Sequence, residues 1–161
     1  MIEAIVAVYS VWGIGDGGTQ PVVLSADRKH FRDLTKGAAV IVGRKTLEDF
    51  PEGKPLKGRN NIVVTRRNTD IEGAQIAHGT QEALDLAANY DRCFVIGGAS
   101  IFEQFFDYTD RVYLTKIDCC PESVRFFPDL DADPCWKCTE QSGILSENGI
   151  NYRFCTYERI K

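Results

Sequence analysis

Apolar, strand-like runs alternate along this chain with short segments of helical periodicity, and this alternation constrains the fold more than any other feature. Buried strands are predicted at residues 2–10, 38–42 and 93–96. Helices are predicted at residues 80–89 and from a cap at Ser25 to about Thr35. Strands that alternate with helices are typical of an α/β sheet, in which the helices cover the sheet faces. The pattern therefore predicts the α/β class.

We predict a single domain over residues 1–161, because the chain has no linker, repeat or low-complexity tract. Its centre is expected to be a mostly parallel, twisted sheet of about eight strands, flanked by about four helices. A C-terminal antiparallel hairpin, residues 136–141 with 151–159, is expected to complete the sheet, with its turn near residues 146–149.

The charge balance limits the partners of the chain. It has 19 Lys and Arg against 23 Asp and Glu, a net charge of -4, which argues against general affinity for nucleic acid or an anionic membrane. No apolar run approaches the ~20 residues of a membrane span. Glu3 stands where a secretion signal has basic residues. We therefore expect a cytoplasmic monomer whose partner is a small molecule.

Six cysteines raise the question of a metal or redox site. Cys135 and Cys138 have the spacing of a zinc half-site or a redox pair, and Cys119 and Cys120 could complete four thiolates. Adjacent cysteines are not the usual second half of a zinc site, however, and the first pair does not open a helix after a strand. We therefore expect reduced structural thiols and no metal.

A carboxylate and an aromatic ring share one face of the first predicted helix. Asp27 and Phe31 are four residues apart, which places their side chains beside each other. A carboxylate next to an aromatic ring suits a flat heteroaromatic ligand that carries paired N–H donors. The alternative is that Asp27 only stabilises the first turn of its helix through the helix dipole.

Basic and hydroxyl side chains follow two of the predicted strands. The sequence Gly43-Arg44-Lys45-Thr46 joins a strand to a helix, and Thr65-Arg66-Arg67 ends another strand. Two such clusters at one sheet edge would bind phosphate groups, whereas separate clusters would be ordinary solvated charges. Gly97 and Gly98 form a further strand-to-helix junction, suited to close backbone approach of a ligand or to a packing turn. The glycine-rich stretch 13–18 is either a lid over a site or a surface loop.

No zincin, serine-hydrolase or calcium-loop motif occurs in the chain, so chemistry carried by a nucleotide cofactor gains weight. His30 adjoins Phe31 and is predicted to be a surface residue of its helix.

Taken in order, these segments and several others resemble the dihydrofolate reductases along essentially the whole chain. The segments that carry the resemblance are Ala26-Asp27 with Phe31, Val40 to Thr46, Gly58 to Val64, Val95 to Phe102, Leu114 to Asp118 and Phe127 to Asp129. Each segment alone is a weak signal, whereas their order and spacing together are highly specific.

The resemblance implies NADPH-dependent reduction of 7,8-dihydrofolate to tetrahydrofolate, with NADPH as cofactor. Asp27 would bind the amino-pyrimidine edge of the pterin and favour protonation at N5, with Thr115 as its hydrogen-bonding partner. Arg59 would bind a carboxylate of the glutamate tail bidentately. The substrate-binding set implied by the resemblance is Ile5, Ala7, Asp27, Phe31, Phe50, Lys54, Leu56, Arg59, Ile96 and Thr115.

The resemblance also implies a cofactor site, whose basic groups would select NADPH over NADH through the 2′-phosphate. Gly97-Gly98 would correspond to the cis peptide of the family, and residues 13–19 to a mobile loop over the nicotinamide. The implied cofactor-binding set is Ala7, Ile14, Gly15, Gly43, Arg44, Lys45, Thr46, Thr65, Arg66, His78, Gly97, Gly98, Ala99, Ser100, Ile101 and Phe102.

Two departures from the family pattern affect the expected chemistry. Val22 and Val23 stand where the family usually has a tryptophan that can position an active-site water. Arg28 replaces a usually apolar residue and, if close to Asp27, would lower the pKa of that carboxyl. The hypothesis is a working reductase with altered pH dependence and antifolate affinity. Two alternatives remain: a reductase of the same fold acting in riboflavin synthesis, or a catalytically weak module that binds NADP or folate.

Overall fold

The computed structural model describes residues 1–14, 22–123 and 125–160. Within these residues it contains nine strands and four α-helices. The strands are β1 Ile2–Val8, β2 Ala39–Gly43, β3 Asn60–Val64, β4 Ala74–Ala77, β5 Cys93–Gly97, β6 Thr109–Ile117, β7 Trp136–Gln141, β8 Leu145–Glu147 and β9 Ile150–Arg159. The helices are α1 Ser25–Thr35, α2 Arg44–Glu48, α3 Thr80–Ala87 and α4 Ala99–Phe105.

All the strands belong to one mixed sheet, in the order β4-β3-β2-β5-β1-β6-β9-β7, and β8 pairs with β9. Neighbouring strands are parallel from β4 to β6. Only β9 runs antiparallel to its neighbours β6, β7 and β8. The predicted α/β class, with a mostly parallel sheet, four helices and an antiparallel C-terminal hairpin, is confirmed.

The central strands read as continuous apolar runs because helices cover both faces of the sheet. Alternate residues of β2 point to opposite faces: Val40 and Val42 pack beneath α1 and α2, whereas Ile41 packs on the side of α3 and α4. All three side chains are fully buried. The apolar stripe Ile101, Phe102 and Phe105 of α4, predicted from its helical spacing, lies in the same core as Ile41.

The order in which the chain adds strands to the sheet reverses at the centre of the sheet. Strands β1 and β5 are hydrogen-bonded neighbours, but the helix that follows β1 covers one face and the helix that follows β5 covers the other. A crevice opens between the two connections at the carboxyl ends of these strands, which is where ligands bind in open α/β sheets.

The C-terminal hairpin differs in one detail from the prediction. Strands β7 and β9 pair as expected, but the tight turn at Asn148 and Gly149 joins β9 to the short strand β8. Both turn residues have positive φ, 51° and 78°, as two-residue hairpin turns with Asn-Gly require. Glu147 is therefore held on a rigid hairpin directly before the turn.

Two further observations concern the described residues as a whole. None of the helices found there is long and apolar enough to cross a membrane. The cysteines there are free thiols, and these residues contain no group of three or more His, Cys, Asp or Glu side chains that could hold a metal ion.

Candidate active site

A cleft of about 1450 Å³ runs along the carboxyl ends of the central strands. Strands β1, β2, β3 and β5 all end at its floor, and α1, α2 and α4 start beside it. The cleft has two parts: a partly apolar half beside α1, and a cation-rich half at the starts of α2 and α4. Its volume exceeds the 300–1,000 Å³ of a typical drug-sized ligand site, so it can hold two ligands side by side.

Asp27 lies at the inner end of the α1 half. Its Oδ1 accepts a hydrogen bond of 2.7 Å from the hydroxyl of Thr115, which is buried on β6. The sheet register places Thr115 opposite Ala7 of β1, at the floor of the cleft. Phe31 follows one helical turn after Asp27 and lines the same half. The carboxylate and the aromatic ring that the sequence places on one helical face therefore both line the cleft.

Burial raises the pKa of Asp27, because removing a carboxylate from water disfavours its charged form. The hydrogen bond from Thr115 and the charge of His30 act in the opposite direction but do not cancel this effect. Asp27 is thus a carboxyl group that takes up a proton more readily than one in water.

The sequence predicts that Arg28 lowers the pKa of Asp27 only if the two side chains lie close together, and the net shift of that pKa is upward. Arg28 is exposed at the rim of the cleft, and the neighbouring positive charge that acts on Asp27 is that of His30. His30 is predicted to be a surface residue of its helix, and it is partly exposed. Its ring is half-buried and stacks on Phe154 with centroids 4.2 Å apart, and burial lowers the pKa of His30. A single helical face could not reveal this contact, since Phe154 lies on the distant strand β9.

Arg59 closes the outer end of the α1 half. Its Nε donates to the Thr35 hydroxyl at 3.1 Å, and its Nη1 donates to the Lys57 carbonyl at 2.6 Å. Burial and the neighbouring charge of Arg32 lower the pKa of Arg59. The guanidinium is thereby held rigidly by neutral oxygen atoms, which leaves its charge available for a carboxylate ligand.

The cation-rich half is built from the ends of β2, β3 and β5. Gly43 ends β2, so that the side chains of Arg44, Lys45 and Thr46 on α2 line the cleft. Parallel pairing of β2 with β3 brings Thr65, directly after β3, to the same edge. The two basic clusters seen in the sequence therefore form one surface. Arg44 also pairs with Glu48 on the next helical turn.

Three glycines let the backbone approach the floor of this half closely. A Cβ added at Gly43 would lie 3.0 Å from Ile101 Cγ1, and one at Gly98 would lie 3.0 Å from Thr46 Oγ1. Gly97 has a φ of +116° and is joined to Gly98 by a cis peptide bond. Side chains at these positions would fill the cradle between α2 and α4. A phosphate-bearing dinucleotide fits this combination of backbone access, cations and hydroxyl groups.

Most residues proposed from the sequence line the cleft. The structure brings together Ile5, Ala7, Ile14, Asp27, Phe31, Gly43, Arg44, Lys45, Thr46, Phe50, Leu56, Arg59, Thr65, Arg66, His78, Ile96, Gly97, Gly98, Ala99, Ser100, Ile101 and Phe102. Thr115 reaches the cleft only through Asp27. Lys54 lies outside the lining, where its ammonium is 3.4 Å from the Glu52 carboxylate. Gly15 and most of the stretch predicted to be a lid lie outside the described residues.

Sequence reasoning did not assign several residues of the cleft to a site. Arg32 follows Arg28 by four residues, so helical spacing could have found it. Arg125 has no local signal, because it reaches the cleft from the loop between β6 and β7. That loop is tied to the segment that follows β1, since the Ile14 amide donates to the Arg125 carbonyl at 3.1 Å.

The fold and the cleft together define a class: an α/β protein with a phosphate-binding half and a carboxylate-bearing aromatic half, arranged as in a nucleotide-dependent reductase. A model of the family described as dihydrofolate reductase matches residues 1–159. The dihydrofolate reductase of Bacillus subtilis is 36% identical over 162 residues, which cover 99% of this chain and 95% of that protein. That of Staphylococcus haemolyticus is 35% identical and covers 99% of this chain and 96% of its own length.

Solved structures agree with these sequence matches. A dihydrofolate reductase from Enterococcus faecalis, complexed with NADP(H) and the compound RAB-propyl, superposes with a TM-score of 0.87 at 29% identity. The superposition covers 100% of this chain and 97% of that structure. The chain therefore belongs to the dihydrofolate reductase family.

Proposed function

We propose that this protein catalyses the reduction of 7,8-dihydrofolate to 5,6,7,8-tetrahydrofolate with NADPH. The observation that carries the proposal is the partly buried carboxyl of Asp27, fixed by Thr115 in a cleft whose other half carries a cation-lined glycine cradle. Family membership supports the same reaction. The monomeric state and cytoplasmic location stay predictions from the sequence.

In the substrate half, Asp27 accepts the paired N–H donors of the pterin's amino-pyrimidine edge. The raised pKa of Asp27 favours a proton in this region, which promotes protonation of the substrate at N5. Phe31, Phe50 and Ile5 supply apolar walls that pack on the rings and exclude water. Arg59 binds a carboxylate at the far end and so sets the depth to which the substrate enters.

In the cofactor half, Lys45, Thr46, Thr65 and Arg66 hold the phosphate groups, and Gly97-Gly98 gives backbone access. NADPH, when bound, supplies the hydride that is transferred to C6 of the pterin. Ala7, which pairs with Thr115 across β1 and β6, lines the cleft and would contact the nicotinamide and pterin rings. The basic side chains of this half, Lys45 and Arg66 among them, would favour binding of NADPH over NADH, because NADPH carries an additional 2′-phosphate.

Steady-state oxidation of NADPH with dihydrofolate tests this proposal directly. Turnover with dihydrofolate, and none with the pyrimidine substrate of the riboflavin-pathway reductases, is expected. Turnover with that pyrimidine instead favours the related reductase, which does not need both Asp27 and Arg59. Binding of both ligands without turnover favours a catalytically weak module, for which Val22 is the supporting feature.

A further inference from the structure

The helix that carries Asp27 begins without a cap of its own. Leu24 occupies the capping position of α1, and its side chain makes no hydrogen bond to the first turn. The first amide groups of a helix have no partner within the helix and need an acceptor from elsewhere. The first bond within α1 runs from the Arg28 amide to the Leu24 carbonyl at 3.1 Å, so the preceding amides depend on other groups.

Glu147 supplies the missing acceptors from the opposite end of the sequence. One carboxylate oxygen accepts from the Ser25 amide at 2.7 Å. The other accepts from the Ala26 amide at 3.1 Å and from the Ser25 hydroxyl at 2.9 Å. These hydrogen bonds lower the pKa of Glu147, so its carboxylate is charged at neutral pH and matches the positive end of the helix.

Glu147 acts on α1 from the same part of the sheet that holds the Asp27 side chain. It pairs with Ile150 across the tight turn, and β9 pairs in turn with β6, which carries Thr115. The next turn of α1 docks on β9 through the stack of His30 on Phe154. The backbone of the first turn is thus hydrogen-bonded to β8, and the carboxyl of Asp27 is hydrogen-bonded to β6. Both strands pair with β9.

We propose that Glu147 is a positioning residue for substrate binding: its carboxylate fixes the first turn of α1 and thereby the place of Asp27 in the cleft. The inference rests on the proposed function, because Asp27 is taken to bind the substrate. Glu147 itself does not line the cleft. Its effect is confined to the substrate half, since the cofactor half is built by α2, α4 and the ends of β2, β3 and β5.

Three variants test this role. Glu147→Ala removes the acceptors, and Glu147→Gln keeps one amide oxygen. Asp33→Ala removes an exposed acid of the same helix that pairs with the exposed Lys29 at 2.7 Å. The measurements are KM and kcat for dihydrofolate at saturating NADPH, and the Kd of dihydrofolate and of NADPH from fluorescence quenching. Glu147 is on the surface, so these variants are expected to fold.

We expect Glu147→Ala to raise KM and Kd for dihydrofolate about three- to tenfold, as the loss of a helix cap would suggest. The Kd of Glu147→Ala for NADPH should stay within about twofold of the wild-type value. The dihydrofolate constants of Glu147→Gln should lie between those of the wild type and Glu147→Ala, and those of Asp33→Ala should equal the wild-type values. Unchanged dihydrofolate constants in Glu147→Ala, an equal rise for NADPH, or the same rise in Asp33→Ala would overturn the inference. A wild-type chain that binds dihydrofolate without reducing it contradicts the proposed function alone, since Kd still reports the positioning. Failure to bind it contradicts both.

Discussion

At the scale of single residues, the cleft depends on one carboxyl group with an altered proton affinity. Asp27 is polar and mostly out of water, yet the one hydrogen bond that its side chain makes with the described residues comes from a neutral hydroxyl. A structural carboxylate would be expected to pair with a cation, which would stabilise its charge. The absence of such pairing among the described neighbours of Asp27 fits a group that meets its partner when a ligand binds.

The raised pKa of Asp27 predicts how stability depends on pH. Between the unfolded pKa and the higher folded pKa, the folded state binds more protons than the unfolded state, so the free energy of unfolding falls as pH rises. Asp27→Asn keeps an acceptor for Thr115 and removes this titration. We expect the variant to gain stability relative to the wild type between about pH 4 and pH 7, measured by urea unfolding across that range. A difference that does not grow with pH contradicts the assigned shift.

Thr115 offers a second test at the same scale. Its hydrogen bond lowers the pKa of Asp27, so Thr115→Val should raise that pKa further and move the pH profile of kcat/KM to higher pH. We also expect KM for dihydrofolate to rise about tenfold, because the carboxyl loses its anchor. Thr109→Val is the matched control: Thr109 is buried on the same strand but donates to the Phe105 carbonyl, far from Asp27. A shift of the profile in the control as well would show that strand damage is the cause.

At the scale of elements, the junction between β5 and α4 lines the proposed cofactor site and also needs a backbone conformation that favours glycine. Gly97 ends β5 with a φ of +116°, and an added Cβ would lie 3.2 Å from the ring of Phe102. Gly97→Ala is expected to cost about 1–3 kcal/mol of stability and to weaken NADPH binding, because the backbone conformation is one that side chains disfavour. Thermal unfolding and a binding titration measure the two effects. Gly143→Ala, at a position with open space and no positive φ, should change neither.

Arg66, which follows the end of β3, is expected to determine the preference for NADPH over NADH. Arg66 lines the cation-rich half together with Lys45 and Thr46 of α2, which we propose hold the phosphate groups. We expect Arg66→Ala to raise KM for NADPH roughly ten- to a hundredfold and to leave KM for NADH nearly unchanged, as loss of a charge-assisted phosphate contact would. Lys57→Ala removes an exposed cation outside the lining and serves as control. Equal effects on the two cofactors would contradict selection by the 2′-phosphate.

At the scale of the whole molecule, the sequence predicts the features that depend on neighbouring residues, such as the helices and the ends of the strands. The spacing of Phe31 and Leu34 predicts a helix that runs to about Thr35, where α1 ends. The prediction that Ser25 caps this helix is wrong, because Ser25 is its first residue and Leu24 occupies the capping position. The clustering of Arg44 and Lys45 with Thr65 followed from the rule that parallel strands end at one edge. The contacts of His30, Arg125 and Glu147 could not be predicted, since each joins positions far apart in sequence and leaves no periodic signal.

The acidic net charge shows the same limit of sequence reasoning. The net charge of -4 argues against general affinity for nucleic acid or an anionic membrane, yet one edge of the sheet concentrates Arg44, Lys45, Arg66 and Arg67. Overall charge reports on the whole surface, whereas binding depends on the local field in the cleft. The segments Gly43 to Thr46 and Thr65 to Arg67 indicate this basic edge in the sequence, and the parallel pairing of β2 with β3 brings them together.

Rapid-mixing turnover of wild type and Asp27→Asn, with saturating NADPH and dihydrofolate at neutral pH, tests the central claim most directly. NADPH should be consumed in equal amount to dihydrofolate by the wild type, and the Asp27→Asn rate should fall at least about a hundredfold, the usual contribution of a positioned acid or base. The cofactor Kd should be the same in both proteins, because Asp27 lies outside the cation-rich half. A variant that turns over at the wild-type rate would contradict the role assigned to Asp27 and, with it, this account of the cleft.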